Sequence, residues 1–288
     1  MGFVPGGAVD FTARLVGQKL SESLGQPVVV ENRPGSATAI ATERAATSPP
    51  DGYTLLLIPI STAVQSALRT NLPYDLKRDL APVSLVSVGP FVLAVHPSLP
   101  ARTVKEFIAL ARSQPGKLDY GSPGVGGANH LATELFKLTT RVNIVHVPYK
   151  GSAEAAVAAA TGEAPVTFSS VAGALPLLGT GRLRALAVTS AKRVSSLPSV
   201  PTLDESGLPG FDYSAWYGVS VPAGVPKDII VRLNAEIGKI IQLKDVREAL
   251  NKQGFEPQSG TPEQFAALIS REIEQTVKLI KLTGLKVE

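Results

Sequence analysis

Three observations predict that this sequence folds as an α/β protein with two domains and mostly parallel sheets. The chain has 288 residues, against about 150 for a typical single domain. Short β-branched runs alternate with helical patterns along almost its whole length, which is typical of parallel strands joined by crossover helices. With 44% hydrophobic and 18% charged residues, the composition is that of a folded globular chain.

Helices and strands alternate in the first sixty residues. Apolar residues recur at helical spacing from residue 8 to residue 24 and stop at Gly25, which predicts a helix. The run Val28–Val30 predicts a buried strand, and a second helix is predicted at 36–47. Thr54–Ile58 follows a turn rich in proline and glycine and predicts the next strand.

The same alternation continues to the carboxyl end of the chain. Thr103 and Glu106 have the spacing of a capping box, which predicts a helix that ends near Arg112. The other predicted strands are 118–120, 142–147, 165–168 and 183–188, and the other predicted helices are 128–138, one that begins at Ser152, 227–241, 245–252 and 262–282.

The composition argues against several classes of protein. The sequence has no cysteine, which rules out a disulfide scaffold, a thiolate zinc site and a cysteine nucleophile. No run of about 18 apolar residues is present, so no membrane span is expected. The net charge of +4 is not clustered, so no nucleic-acid partner is expected. The first residues lack the basic and apolar regions of a signal peptide.

Common catalytic motifs are also missing from the sequence. It contains no G-x-S-x-G, no G-x-x-x-x-G-K-[ST] and no H-E-x-x-H. The glycine-rich run Gly121–Gly127 departs from dinucleotide-binding spacing, and it has Pro123 where a phosphate would need an N–H group. The histidines His96, His130 and His146 lie far apart in the sequence. We therefore expect no catalytic residues, no metal and no cofactor.

Loops of small residues precede four of the predicted helices: Pro5–Gly7, Ile60–Ala63, Gly124–Gly127 and Lys150–Ser152. The first N–H groups of a helix have no partner within it and lie at the positive end of its dipole, where they bind anions. Any single loop of this kind is more often an ordinary cap or turn. The four together predict a carboxylate site, provided that the fold brings them together.

A series of short motifs carries a family resemblance along nearly the whole chain. In order, they are Phe3–Asp10, Gly25–Gly35, Pro50–Leu55, Leu72–Asp75, His130–Ala132, His146–Gly151, Leu183–Thr189, Pro198–Thr202 and Gly207–Gly210. In these motifs the chain resembles the Bug (TctC) family, the periplasmic solute receptors of tripartite tricarboxylate transporters.

The resemblance implies a two-domain fold like that of type II (Venus-flytrap) periplasmic binding proteins, with crossing hinge strands. It implies a first domain of residues 1–97 plus 216–288 and a second of residues 98–215. The expected ligand is a small organic carboxylate, held without catalysis in an interdomain cleft and delivered to membrane transporter subunits. The expected location is the periplasm and the expected state a monomer. A cytoplasmic α/β ligand sensor or enzyme on the same scaffold is the alternative.

The resemblance also assigns candidate ligand-binding residues in the first domain. Gly6 and Gly7 would let the backbone approach the ligand, and Phe3 would form a wall of the pocket. Ser61 and Thr62 would offer hydroxyl and N–H groups, with helix capping as the alternative. For Asp10 two roles stay open: a structural role, as a cap or in interdomain hydrogen bonds, and contact with the ligand. A carboxylate suits the first turn of a helix but repels an anion.

In the second domain the candidates lie in the glycine-rich loop before the predicted helix 128–138 and in that helix, in the loop before the helix that begins at Ser152, and at the end of the strand 165–168. They are Ser122, Gly126, His130, Tyr149, Lys150, Gly151 and Ser169. Many relatives have an acidic residue near Ser169, so a serine there favours plain carboxylic acids over amino acids. Trp216, the only tryptophan, is expected in a hinge or in the core.

The resemblance raises one question about the amino end. Relatives usually have an apolar strand that runs directly into the Pro-Gly-Gly loop, and here only Phe3 and Val4 stand in its place. A sheet without that strand would have unpaired backbone groups. We therefore expect either that the protein begins upstream of Met1 or that its first domain is poorly assembled.

Overall fold

The computed structural model describes residues 1–2, 5, 8–35, 38–69, 71–149 and 151–283. The chain forms two compact units. The first comprises residues 1–88, 216–251 and 256–278, and the second comprises residues 89–215, 252–255 and the chain from 279 onward. The sequence-based division has its boundaries at 97/98 and 215/216, whereas the units separate at 88/89 and 215/216. The first separation falls between Val88 and Gly89, inside a strand that spans Leu80–Val95.

The described residues form eight strands and ten helices, which alternate along most of the chain. The strands are β1 (Leu56–Pro59), β2 (Leu80–Val95), β3 (Asp119–Ser122), β4 (Val145–Pro148), β5 (Val166–Ser170), β6 (Arg184–Val188), β7 (Ser214–Pro222) and β8 (Glu256–Pro257). The helices are α1 (Ala8–Leu24), α2 (Ala39–Ala46), α3 (Ile60–Leu68), α4 (Val104–Ser113), α5 (Ala128–Thr140), α6 (Ser152–Thr161), α7 (Val171–Gly179), α8 (Lys227–Ile240), α9 (Lys244–Lys252) and α10 (Pro262–Thr283).

Sequence patterns located most of these elements correctly. The predicted helix from residue 8 to residue 24 is confirmed as α1. The predicted capping box is confirmed at α4, where the Glu106 N–H donates to Thr103 Oγ1 at 3.2 Å. The predicted strand Val28–Val30 is wrong, because these residues form no ladder with another described strand, and the Val28 N–H donates instead to Ser21 Oγ at 2.7 Å.

The sheet of the first unit is built from β1, β7, β8 and the first part of β2. β1 pairs antiparallel with β7, with Leu56 opposite Ser220. β2 lies beside β7 in the strand order and pairs antiparallel with β8 at Ser87 and Val88. The core of this unit includes Trp216, which is 2% exposed.

The sheet of the second unit has the strand order β6-β2-β5-β3-β4. The second part of β2 pairs antiparallel with β5 and with β6, whereas β3 is parallel to both β4 and β5. The sheet of the second unit is therefore mixed, and the ladders of β1 with β7 and of β2 with β8 in the first unit are antiparallel, where mostly parallel sheets are expected from the sequence. The reason is that β2 and β7 are not part of the β/α alternation that the sequence pattern detects, and the ladders that they form with β5 and β1 respectively are antiparallel.

The contact between β7 and α10 provides a test of the first unit. A Cβ added at Gly218 would lie 2.1 Å from the Phe265 ring, and Phe265 is fully buried and stacks edge-on against Trp216. Gly218→Ala is therefore expected to lower the free energy of unfolding by about 1–3 kcal/mol, measured by urea denaturation.

Gly238→Ala is the matched control for this substitution. Gly238 lies in α8, and a Cβ there would meet no atom within 4 Å. Alanine should raise the free energy of unfolding by up to about 1 kcal/mol, through its higher helix propensity. Equal effects of the two substitutions would contradict the packing of Gly218 against Phe265.

Candidate functional site

The parallel strands of the second unit end at one edge of their sheet. β3 ends at Ser122, β4 at Pro148 and β5 at Ser170, and each is followed by a helix: α5, α6 and α7 respectively. In α/β sheets, ligands bind beyond the carboxyl ends of parallel strands. We call this edge, with the three helix starts that follow it, the carboxyl edge.

Two of the helices at the carboxyl edge begin without a side-chain cap. Gly127 precedes α5 and Gly151 precedes α6, and neither position supplies a side-chain hydrogen bond to the helix. The first N–H groups of these helices are therefore free of side-chain caps, and the positive end of each helix dipole lies there. The first turns of α5 and α7 contain no acidic residue, and the first turn of α6 contains Glu154.

Ser169 places a hydroxyl group at the same edge. The side chain is 1% exposed, and its Oγ has no hydrogen-bond partner among the described residues. The neighbouring Ser170 caps α7, because its Oγ accepts from the Gly173 N–H at 3.3 Å. A Cβ at Gly173 would lie 3.2 Å from Ser169 Oγ, so glycine leaves space beside this hydroxyl.

His130 and His146 pack against each other below the loop that precedes α5. Their ring centroids are 4.2 Å apart. His130 Nδ1 accepts from the Gly126 N–H at 3.2 Å, and His146 Nε2 lies 2.7 Å from Ser122 Oγ. The histidines therefore hold both ends of the loop from Ser122 to Gly126.

Glu134 closes this cluster on the side away from the loop. Its Oε1 lies 3.9 Å from His130 Nε2. The same oxygen accepts from the Tyr120 hydroxyl at 2.8 Å and from Lys137 Nζ at 2.7 Å. The carboxylate thus has three polar neighbours within the second unit and is 6% exposed.

Burial keeps both histidines uncharged near neutral pH. Desolvation, with a further contribution from His146, lowers the pKa of His130 to about 4. Desolvation also lowers the pKa of His146. A neutral ring agrees with the geometry, since His130 Nδ1 can accept the Gly126 N–H only when it carries no proton.

Three further hydrogen bonds are made by residues of the carboxyl edge. Asn129 Nδ2, in the first turn of α5, donates to the Phe168 carbonyl at 2.7 Å. The Tyr149 N–H donates to the Ser122 carbonyl at 2.9 Å, and the Tyr149 hydroxyl donates to Glu163 at 3.0 Å. The backbone of Tyr149 is therefore tied to Ser122, and its hydroxyl is already paired with Glu163.

In the first unit, a similar helix start follows β1. α3 begins at Ile60, and Pro59 supplies no side-chain cap. Ser61 Oγ is buried and has no partner among the described residues. Thr62 is fully buried, and its hydroxyl lies 3.2 Å from that of Thr38. Thr38 itself has a φ of +85°, a strained conformation for a β-branched residue.

Asp10 is paired inside the first unit. The carboxylate is 5% exposed and receives Arg14 Nε on both oxygens at 3.0 Å. Asn32 Nδ2 donates to the same group at 2.9 Å. Of the two roles left open by the sequence, these contacts favour the structural one.

Comparison with known proteins identifies the family of this chain. The model of the family TctC, described as "Tripartite tricarboxylate transporter family receptor", matches residues 12–285. The chain belongs to this family. The resemblance noted in the sequence is thereby confirmed.

Individual relatives of this TctC receptor agree with that assignment. This chain is 40% identical to BugT of Bordetella pertussis, over 99% of this chain and 88% of BugT. Among solved structures, one described as a periplasmic transporter is 38% identical with a TM-score of 0.81, over 99% of this chain and 96% of that one. These matches also confirm the two-domain α/β fold of a periplasmic binding protein.

Two further structures of relatives are described with a bound ligand. Rhodopseudomonas palustris Rpa4515 with adipate is 36% identical with a TM-score of 0.82, over 99% of this chain and 96% of that one. MatC from the same organism, with bound malate, is 30% identical with a TM-score of 0.77, over 97% of this chain and 96% of that one.

The structure brings together most of the candidate residues of the TctC receptor within each unit. Ser122, Gly126, His130, Tyr149, Gly151 and Ser169 lie at the carboxyl edge of the second unit, and Asp10, Ser61 and Thr62 lie in the first. Phe3, Gly6, Gly7 and Lys150 lie outside the described residues. Contact of any of these residues with a ligand stays a prediction.

Sequence reasoning missed the histidine cluster of this receptor. Glu134 stands four residues after His130, and that helical spacing was a usable signal. His146 lies in β4, and only the pairing of β3 with β4 places it beside Ser122. In the described part of the chain, no group of three His, Asp or Glu side chains could hold a metal ion. No helix in that part is long and apolar enough to cross a membrane.

The histidine cluster makes stability depend on pH. The unfolded chain takes up a proton at histidine near pH 6.5, whereas His130 in the folded chain does so only near pH 4. The contribution of His130 to the free energy of unfolding should therefore be greatest above about pH 7 and decrease as the pH falls toward 4. Between pH 7.5 and pH 5 we expect His130 to account for a loss of about 2 kcal/mol, measured by urea denaturation.

His130→Asn tests the origin of this loss. The substitution retains an acceptor near the position of Nδ1 and removes the titrating ring, so the fall in stability between pH 7.5 and pH 5 should be smaller. Identical pH profiles for wild type and His130→Asn would show that His130 does not titrate as described.

Proposed function

We propose that this TctC-family chain is an extracytoplasmic receptor that binds a small organic carboxylate and delivers it to a tripartite tricarboxylate-type transporter. The observation that carries the proposal is the carboxyl edge, where α5 and α6 begin without side-chain caps beside the unpartnered hydroxyl of Ser169. In the first unit, α3 likewise begins without a side-chain cap, beside the unpartnered hydroxyl of Ser61.

The chemistry of these groups suits a carboxylate. Backbone N–H and hydroxyl groups donate hydrogen bonds that become stronger when the acceptor is ionised. The helix dipoles add a favourable field without a charged side chain. A serine at position 169 offers no negative charge to a ligand ammonium, which supports carboxylic acids over amino acids. The adipate and malate bound to two relatives belong to this class.

A receptor role fits the family better than an enzyme or a cytoplasmic sensor. The family description is that of a transporter receptor, and a receptor returns its ligand chemically unchanged. We place the protein in the periplasm on the same grounds, with the membrane subunits of the transporter as its partners.

A ligand panel tests the proposal directly. Thermal unfolding is measured with adipate, malate, citrate, glutamate and the dication of putrescine, each in excess. A ligand at 100 times its Kd should add about 2.7 kcal/mol of stability, which is a rise of several degrees in Tm. We expect a carboxylic acid to give the largest rise and to be recovered unchanged by mass spectrometry. Stabilisation by putrescine alone, or conversion of the acid, would overturn the proposal.

Ser169→Ala tests the hydroxyl at the carboxyl edge. Loss of one hydrogen bond to an anion should weaken binding of the best acid by about ten- to a hundredfold. The ligand-free protein should be at least as stable as wild type, because a buried unpaired hydroxyl is removed. Isothermal titration calorimetry and thermal unfolding measure the two quantities.

Ser220→Ala is the control for this substitution. Ser220 Oγ is likewise buried without a partner among the described residues, but it lies in β7 of the first unit. Its removal should leave the affinity unchanged. Equal affinities for both variants and wild type would exclude Ser169 from the binding site.

A further inference from the structure

The start of α5 at the carboxyl edge presents the backbone N–H groups of residues 128–130. The first hydrogen bond within the helix comes after them, where the Leu131 N–H donates to the Gly127 carbonyl at 2.9 Å. The N–H groups before that bond have no partner within the helix. Their position and direction therefore depend on the loop that leads into α5.

That loop has little rigidity of its own. It reaches α5 through Gly124 and Gly126, whose φ values of +120° and +76° lie in the region that favours glycine. Glycine loses more conformational freedom on folding than any other residue, so contacts with the rest of the second unit have to fix the course of the loop. The hydrogen bond made by the Gly126 N–H is such a contact.

His130 accepts this hydrogen bond from the third position of α5. Its Nδ1 accepts from the Gly126 N–H at 3.2 Å, so the side chain turns back over the start of the helix. In a capping box, a glutamate or glutamine at the third position accepts from a backbone N–H just before the helix. A neutral imidazole in this role differs from those side chains, because only one of its two nitrogens can accept.

The hydrogen bond to Gly126 requires the tautomer of His130 that carries its proton on Nε2. Glu134, one turn later on α5, places its Oε1 3.9 Å from that Nε2. A negative charge on this side of the ring favours the proton there and leaves Nδ1 free to accept. The carboxylate is held in place by the Tyr120 hydroxyl at 2.8 Å and by Lys137 Nζ at 2.7 Å.

The other groups around the His130 ring act on its charge and packing. The rings of His146 and Tyr120 lie beside it, with centroid distances of 4.2 Å and 6.3 Å. His146 and Lys137 disfavour protonation of His130, Glu134 favours it, and burial is the largest effect and keeps the ring neutral. In a neutral ring, the position of the single proton decides whether the Gly126 N–H is bound.

We propose that Glu134 is a positioning residue for the carboxylate site: it sets the tautomer of His130, which binds the Gly126 N–H and thereby fixes the loop that presents the first N–H groups of α5. The inference rests on the proposed function, in which these groups bind the carboxylate. Burial of a carboxylate is costly to a fold, and Glu134 is 6% exposed. Control of the ring above it gives this buried charge a function.

Two substitutions separate this role from simple packing. Glu134→Gln keeps an oxygen that can accept from the Nε2–H of His130 and from the Tyr120 hydroxyl, whereas Glu134→Met fills a similar volume without an acceptor. At pH 7.5 and without ligand, the ¹⁵N chemical shifts of the ring report the tautomer, and hydrogen exchange reports the Gly126 amide. Wild type and Glu134→Gln should show the Nε2–H tautomer alone. Glu134→Met should show both tautomers and faster exchange at Gly126.

The Kd of the acid that wild type binds best is then measured by isothermal titration calorimetry. In metal sites, loss of a group that orients a binding histidine costs about ten- to a hundredfold in affinity or activity. We expect a Kd about tenfold higher for Glu134→Met, and a Kd within about twofold of wild type for Glu134→Gln.

A double substitution shows whether Glu134 acts through His130. The side-chain oxygen of His130→Asn can accept from Gly126 whatever residue stands at position 134. Adding Glu134→Met to His130→Asn should therefore leave the Kd within about twofold of that for His130→Asn alone. A purely structural role of Glu134 would raise the Kd equally in both backgrounds and would overturn the proposal.

Thr140→Val is the matched control on the same helix. Thr140 is buried at the end of α5 and donates to the Phe136 carbonyl at 2.6 Å, so the substitution disturbs α5 without touching His130. Its tautomer and Kd should equal those of wild type. If Glu134→Met does not fold, Glu134→Ala takes its place.

Two results would overturn the proposal while leaving the proposed function intact. One is a single, unchanged tautomer in all variants of Glu134, and the other is a changed tautomer with an unchanged Kd. If wild type binds no acid at all, the proposed function fails and this inference fails with it.

Discussion

The pairing of β5 between β2 and β3 determines where the chemistry of the second unit lies. β2 holds β5 antiparallel through five residue pairs, from Phe91–Ser170 to Val95–Val166. β3 pairs with the other edge of β5 in the parallel sense and carries β4 beside it. Because β3, β4 and β5 run in one direction, their ends and the helices that follow them come together. If β5 were shifted by one residue, Ser169 would turn to the opposite face.

In the function we propose, the carboxyl edge formed in this way would attract anions mainly through its backbone. The histidines beneath it are held neutral by burial, which lowers the pKa of His130 to about 4. They hold the loop from Ser122 to Gly126, and in the proposed function the attraction would come from helix N–H groups and hydroxyls. Recognition of this kind selects for a carboxylate but says little about the rest of the ligand. Relatives with the same fold can accordingly hold acids as different as adipate and malate.

Local signals in the sequence predicted most helices, most strands and several loops before helices, because those signals act within a few residues. The helix α1 and the cap of α4 are examples, since both depend on residues three or four apart. β2 was missed because Gly89 and Pro90 interrupt it and give a turn signal inside a strand of 16 residues. α7 was missed because it contains Pro176. The contact between His130 and His146 depends on the pairing of β3 with β4, which no local pattern encodes.

Stability and binding oppose each other at the unpaired hydroxyls. A buried hydroxyl without a partner costs about 1–3 kcal/mol, and Ser61 and Ser169 both carry one beside a helix start. Alanine would remove that cost at either position, so a sequence chosen for stability alone would have no reason to place serine there. Thr38 adds backbone strain beside Thr62 in the first unit. In the proposed function, a carboxylate that accepts from one of these hydroxyls would restore that hydroxyl's hydrogen bond only when bound. The same atom that weakens the ligand-free protein would therefore strengthen the proposed complex.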